Sequence, residues 1–148
     1  MKPLSLYLHI PFCVRKCAYC DFPSHAGREQ DIPAYVDALK GEILEAGARW
    51  ADRRVETVFF GGGTPSVLTG NQMKTLMDAV FSAFSVSPSA EISMEANPGT
   101  LTPGNLAAYR AAGVNRLSVG VQAMNDRLLQ NIGRIHTREE AAEAVCTL

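Results

Sequence analysis

Apolar positions along the chain switch between a repeat of two and a repeat near 3.6, and the switch recurs four times. LSLYLHI (4–10) and the compact VETVFF (55–60) read as strands, EISMEA (91–96) alternates, and RLSVGVQ (116–122) reads as a fourth strand. Between them, residues 31–50 place Val36, Leu39, Ile43 and Trp50 on one helical stripe, with Pro33 in the first turn. Thr69 and Gln72 form a capping-box pair ahead of Met73, Leu76, Met77, Val80, Phe81 and Phe84, which predicts an amphipathic, core-facing helix. Thr102–Pro103 opens a third helix that Gly113 ends, and Thr137 with Glu140 caps a fourth. The predicted order is βαβαβαβα. Strands separated by single helices imply an α/β fold with a parallel sheet and right-handed crossovers.

The polar and glycine-rich motifs all follow the C-terminal ends of strands. Cysteines follow the first, GGGTPS the second and ANPGT the third, while VQ closes the fourth. Ligands bind at that edge of parallel α/β folds. Four βα units make only part of a barrel, and the sequence stops at EAAEAVCTL with no helix-ending glycine or proline. Residues 1–148 therefore read as the N-terminal part of a longer domain. Alone, such a piece would expose a strand edge and is expected to aggregate or to bind its ligand poorly.

Composition narrows the partners. The 148 residues carry a formal charge of −1, with 47% hydrophobic and 20% charged side chains, the profile of an ordinary globular chain. No basic excess points to nucleic acid, and membrane contact would be peripheral at most. His9 and Pro11 interrupt the only apolar run near the start, so it reads as a buried strand rather than a signal peptide. Reduced thiols then fit a cytoplasmic setting.

Three of the four cysteines, Cys13, Cys17 and Cys20, fall within HIPFCVRKCAYCDF. The pair Cys17–Cys20 alone would suit a thiol–disulfide couple, but Cys13 is then unexplained. Zinc could recruit His9 or His25 as a fourth ligand, although no second paired half occurs. An iron–sulfur cube held by three thiolates would keep one iron open. GGGTPS lacks the Gly–Lys–Ser/Thr ending of a Walker loop. His9, His25 and His136 show no partner in the sequence, and Cys146 on the last helix reads as ordinary.

CVRKCAYC, with Tyr19 before the last cysteine, resembles the CxxxCxxC signature of the radical S-adenosylmethionine (SAM) superfamily. YLHIPFC, KCAYCDF, FFGGGTPS, EANPGT, RLSVGVQ and GRIHT follow in the order seen in the oxygen-independent coproporphyrinogen III oxidase-like family, which includes the HemW-type heme chaperones. The resemblance implies a partial TIM-like (β/α) barrel. It also implies a [4Fe–4S] cluster on Cys13, Cys17 and Cys20, whose open iron chelates SAM and whose electron cleaves it to methionine and a 5′-deoxyadenosyl radical. By the same resemblance Gly62, Gly63 and Thr64 approach the methionyl group, while Tyr7, Tyr19, Glu95, Gln122 and Arg134 contact SAM. Arg134 would meet a SAM carboxylate. Only six residues precede Tyr7, and Phe22 stands where the oxidases carry a further cysteine. Both departures favour the chaperone group, which implies heme as cargo, a respiratory apoprotein as acceptor and an electron donor. The alternatives are the porphyrinogen oxidase and a zinc-stabilised module. Residues that hold heme or porphyrinogen are expected beyond Leu148.

Overall fold

The computed structural model describes residues 1–146; the final two residues of EAAEAVCTL lie outside the described residues. Four parallel strands form one sheet in the order β1–β4–β5–β6. They are β1 (Lys2–Ile10), β4 (Arg53–Gly62), β5 (Ser85–Ala96) and β6 (Arg116–Val119). A second, two-stranded parallel pair joins β2 (Phe12–Cys13) to β3 (His25–Ala26). Helices α1 (Ile32–Arg49), α2 (Gly70–Ala83) and α3 (Pro103–Ala111) each connect neighbouring strands of the main sheet. Two further helices, α4 (Asp126–Asn131) and α5 (Arg138–Cys146), follow β6.

Sequence pattern explains the layers. On β1, Leu8 and Ile10 are buried, while Tyr7 is 60% exposed. Val55, Val58 and Phe60 of β4, with Ile92 and Met94 of β5, continue the buried face. They pack into one core with Val36 and Ile43 of α1 and Met73, Leu76, Met77 and Val80 of α2. The opposite face carries Tyr7, Phe59 and Glu95, so the period-two alternation separates a helix-covered side from an open side.

Local signals hold the helix ends as predicted. Thr69 Oγ1 accepts from Gln72 N at 3.2 Å, and Gln72 Oε1 accepts from Thr69 N at 2.8 Å. Thr137 and Glu140 make the same reciprocal pair at 3.2 and 2.7 Å. Gly113, at φ 107°, turns the chain out of α3.

The structure departs from the sequence pattern at several points. The fourth strand ends at Val119 rather than at residue 122, because the chain pairs with β5 only from Arg116 to Val119. β5 starts six residues earlier than the EISMEA pattern suggested, across Pro88, where its register against β4 shifts. Helix α4 and the β2–β3 pair were not expected. Trp50 and Phe81 also leave the core, at 41% and 47% exposed. Trp50 instead stacks under the Arg53 guanidinium, 5.5 Å from its ring centre, and Phe81 covers Gly113.

Buried Tyr109 of α3 ties the loops beneath the site. Its hydroxyl is shared between the Ser66 carbonyl at 3.1 Å and the Leu68 carbonyl at 2.5 Å, and burial pushes its pKa up to about 12. The phenol therefore stays a neutral donor.

Candidate functional site

The site lies at the C-terminal edge of the sheet, where the strand ends open into a cavity of about 520 Å³. That size lies within the range of small-molecule and cofactor pockets, roughly 300–1,000 Å³. Cys13, Cys17, Cys20, Tyr19, Gly62, Gly63, Thr64, Glu95, Gln122 and Arg134 all line it. Four strand ends thus converge what the sequence scatters over more than 120 positions.

Backbone bonds splice the cysteine segment onto the glycine segment. Gly63 N donates to Ile10 O at 2.9 Å, and Thr64 N donates to Phe12 O at 2.8 Å. Gly63 has no room for a side chain, since a Cβ would lie 2.6 Å from Phe12 O and 3.0 Å from Cys13 Sγ. Gly62 adopts φ 116°, and a Cβ there would lie 2.6 Å from the His9 ring. Both glycines are therefore needed for close approach. Thr64 Oγ1 donates to Cys13 Sγ at 3.4 Å.

His9 holds the other side of the loop. Its Nε2 is 3.0 Å from the Pro23 carbonyl, which can only accept, so Nε2 carries the proton. Nδ1 then accepts from the Tyr7 hydroxyl at 2.9 Å. Tyr7 is the one predicted contact residue that does not line the cavity. It stacks on Phe59 at 6.2 Å on the open sheet face, and burial, then the Glu95 charge, raise its pKa.

Gln122 lines the cavity, though not as a strand residue. It sits at φ 68°, a left-handed conformation that costs a non-glycine residue about 1–2 kcal/mol. Such strain is common where a side chain is aimed at a ligand. Arg134 reaches the site from the segment after α4. Its Nη2 donates to Gly120 O, and its Nη1 donates to Cys17 Sγ at 3.5 Å. Its Nε is buried without a partner, which leaves a donor for a bound acceptor.

Asn97 and Ser118 also line the cavity and were missed in the sequence. The signal for Ser118 was the alternation Arg116–Ser118 along β6, which sets Ser118 opposite Glu95 in register. Among the described residues no three His, Cys, Asp or Glu side chains cluster tightly enough to share one metal ion. All three cysteines are free.

The family model for the radical SAM superfamily matches residues 7–148. The chain belongs to that superfamily. Its relatives include the heme chaperone HemW of Escherichia coli, 47% identical over 97% of this chain and 38% of that protein. HemW of Haemophilus influenzae is 41% identical over 98% of this chain and 39% of its own length. A solved structure of coproporphyrinogen III oxidase (HemN) from Escherichia coli, described as a radical SAM enzyme, superposes with a TM-score of 0.92 at 35% identity. It covers 99% of this chain and 34% of that one. The α/β fold with a parallel sheet is therefore that of the radical SAM barrel, and the chain spans about two-fifths of the curated relatives it matches. No helix among the described residues is long and apolar enough to cross a membrane.

One neighbour of the site responds to pH. His136 is buried, with Nε2 3.0 Å from the Val121 carbonyl and Nδ1 unpartnered. Burial lowers its pKa, and the nearby Arg134 charge adds to this; the Val121 bond and Glu140 oppose it. The unfolded chain then binds this proton more readily than the folded one, so stability is full above about pH 6.5 and falls as pH drops through the lowered value. Urea unfolding from pH 8 to 5 should show this loss, and His136→Gln should flatten that part of the profile.

Proposed function

We propose that residues 1–148 are the N-terminal part of a radical SAM core whose whole protein is a heme chaperone. In this reading Cys13, Cys17 and Cys20 ligate a [4Fe–4S] cluster, and SAM occupies the cavity beside it. Gly62, Gly63 and Thr64 take the methionyl end, and Tyr19, Glu95, Gln122 and Arg134 take SAM's polar groups. Tyr7 acts at the margin through His9. The observation that carries the reading is the set of three free thiols lining one cavity with a glycine cradle that any Cβ would fill. When bound, the cluster and SAM supply one-electron radical chemistry; the chain's residues bind, orient and shield them.

Heme as cargo is supported by the identity to HemW proteins. Phe22 adds to this: 65% exposed on the cavity wall, it offers a ring and no further thiol. A respiratory apoprotein as acceptor, a separate electron donor and a cytoplasmic setting belong to the same reading, the last supported by the unpaired cysteines. The second reading is oxidative decarboxylation of coproporphyrinogen III, favoured by the superposition on HemN.

Anaerobic reconstitution of the whole protein separates them. Iron and sulfide in a brown protein that takes up heme and leaves coproporphyrinogen unchanged is the expected result. Conversion to protoporphyrinogen would move the assignment to the oxidase, and a colourless zinc protein would end both readings.

A further inference from the structure

Two of the three thiols already receive a side-chain hydrogen bond, and the two donors differ in charge. Thr64 offers Cys13 a neutral hydroxyl at 3.4 Å, whereas Arg134 offers Cys17 a guanidinium at 3.5 Å. Arg134 is held for this contact. Gly120 O accepts from its Nη2, and its own N donates to Leu129 O at 2.9 Å. The preceding backbone lies against the cysteine loop: Ala18 N donates to Ile132 O at 3.0 Å, and a Cβ on Gly133 would lie 3.6 Å from Cys17 Cα.

The partners of this cation in the cluster-free chain are uncharged groups: the Cys17 thiol, the Gly120 carbonyl and the Tyr19 phenol, which also bonds Cys17. Its charge is felt by Tyr19 and His136 as well, but the Nη1 hydrogen bond brings it into direct contact with the Cys17 sulfur. A positive donor on a cluster thiolate draws charge off the sulfur and favours the more electron-rich state of the cluster. The glycine fit behind it bears on the same geometry, since Gly133 brings the segment close to Cys17.

We propose that Arg134 is a positioning residue of the iron–sulfur site, which raises the cluster's reduction potential through its Nη1 hydrogen bond to Cys17 Sγ. This rests on the cluster assignment above, and it adds a role to Arg134 that does not involve SAM. The same cation that awaits a ligand through its buried Nε sets the potential through Nη1.

The test is a redox titration of the reconstituted whole protein without SAM, followed by electron paramagnetic resonance. Arg134→Gln should lower the ratio of reduced to oxidised cluster at a fixed potential about tenfold, equivalent to about 59 mV for one electron. Thr64→Val should lower it by a smaller factor, because a neutral bond is lost. A midpoint unchanged in Arg134→Gln, at full iron and sulfide content, would overturn the proposal. If that variant takes up no cluster, guanidinium-15N arginine in an Arg15→Lys background decides: a 15N hyperfine coupling on the reduced cluster supports it, and none overturns it. Failure of the wild-type protein to assemble any cluster is a different outcome, which removes the functional reading itself.

Discussion

Alanine at Cys13, Cys17 or Cys20 should abolish assembly of an iron–sulfur cluster, whereas Cys146→Ala should leave iron and sulfide content at the wild-type level. The contrast follows from position. The first three line one cavity, while Cys146 is exposed on α5, outside that cavity's lining. A cube already short of one protein ligand has no spare thiolate, so losing a second leaves two irons uncapped. His9, the nearest imidazole in sequence, is already engaged by Tyr7 and Pro23. Metal and sulfide analysis after anaerobic reconstitution reads the result directly. Equal loss at all four positions would remove the ligand assignment.

Gly63→Ala is expected to be nearly as damaging to the site, by a steric rather than a chemical route. The new methyl group would sit 2.6 Å from Phe12 O and 3.0 Å from Cys13 Sγ. Backbone cannot yield as a flexible side chain does, and the bonds from Gly63 N to Ile10 O and Thr64 N to Phe12 O fix both segments. Overpacking of this kind costs about 1–3 kcal/mol, and here relief must move the cysteine loop. Cluster content and SAM binding should fall together, with a lower urea midpoint. Gly41→Ala is the matched control. A Cβ there meets nothing within 4 Å, and replacing a mid-helix glycine should raise stability by about 0.5–1 kcal/mol. If both variants behaved alike, the cradle would not be what holds the loop.

These two predictions concern residues that were legible from sequence for different reasons. The cysteine triad stands out by spacing alone, and GGGT by its place between a strand and a helix. Glu95 was readable because β5 alternates up to its end. Gln122 was placed near the site but on the wrong element, since nothing in RLSVGVQ marks Val119 as the last paired residue. Its left-handed backbone is set by how the chain leaves the sheet after Gly120, whose N donates to Ala96 O at 2.9 Å. Phe81 satisfied a helical stripe yet ended at the surface, because a stripe has margins and only the neighbouring helix decides which margin is covered, whereas Trp50 lies one residue past the end of α1.

Local chemistry therefore determined the elements, their order and the parallel sheet. Caps, alternation and connection length act over a few residues and are written in the chain itself. The same holds for the candidate thiols, which fall within eight consecutive positions and so belong to one loop. Only the tertiary structure decided that Arg134 contacts Cys17, that His9 joins Tyr7 to the cysteine loop, and that Gly63 seats Cys13. Those contacts join residues up to 117 positions apart. They exist because parallel strands bring their C-terminal ends to one edge, a consequence of packing that no local pattern records.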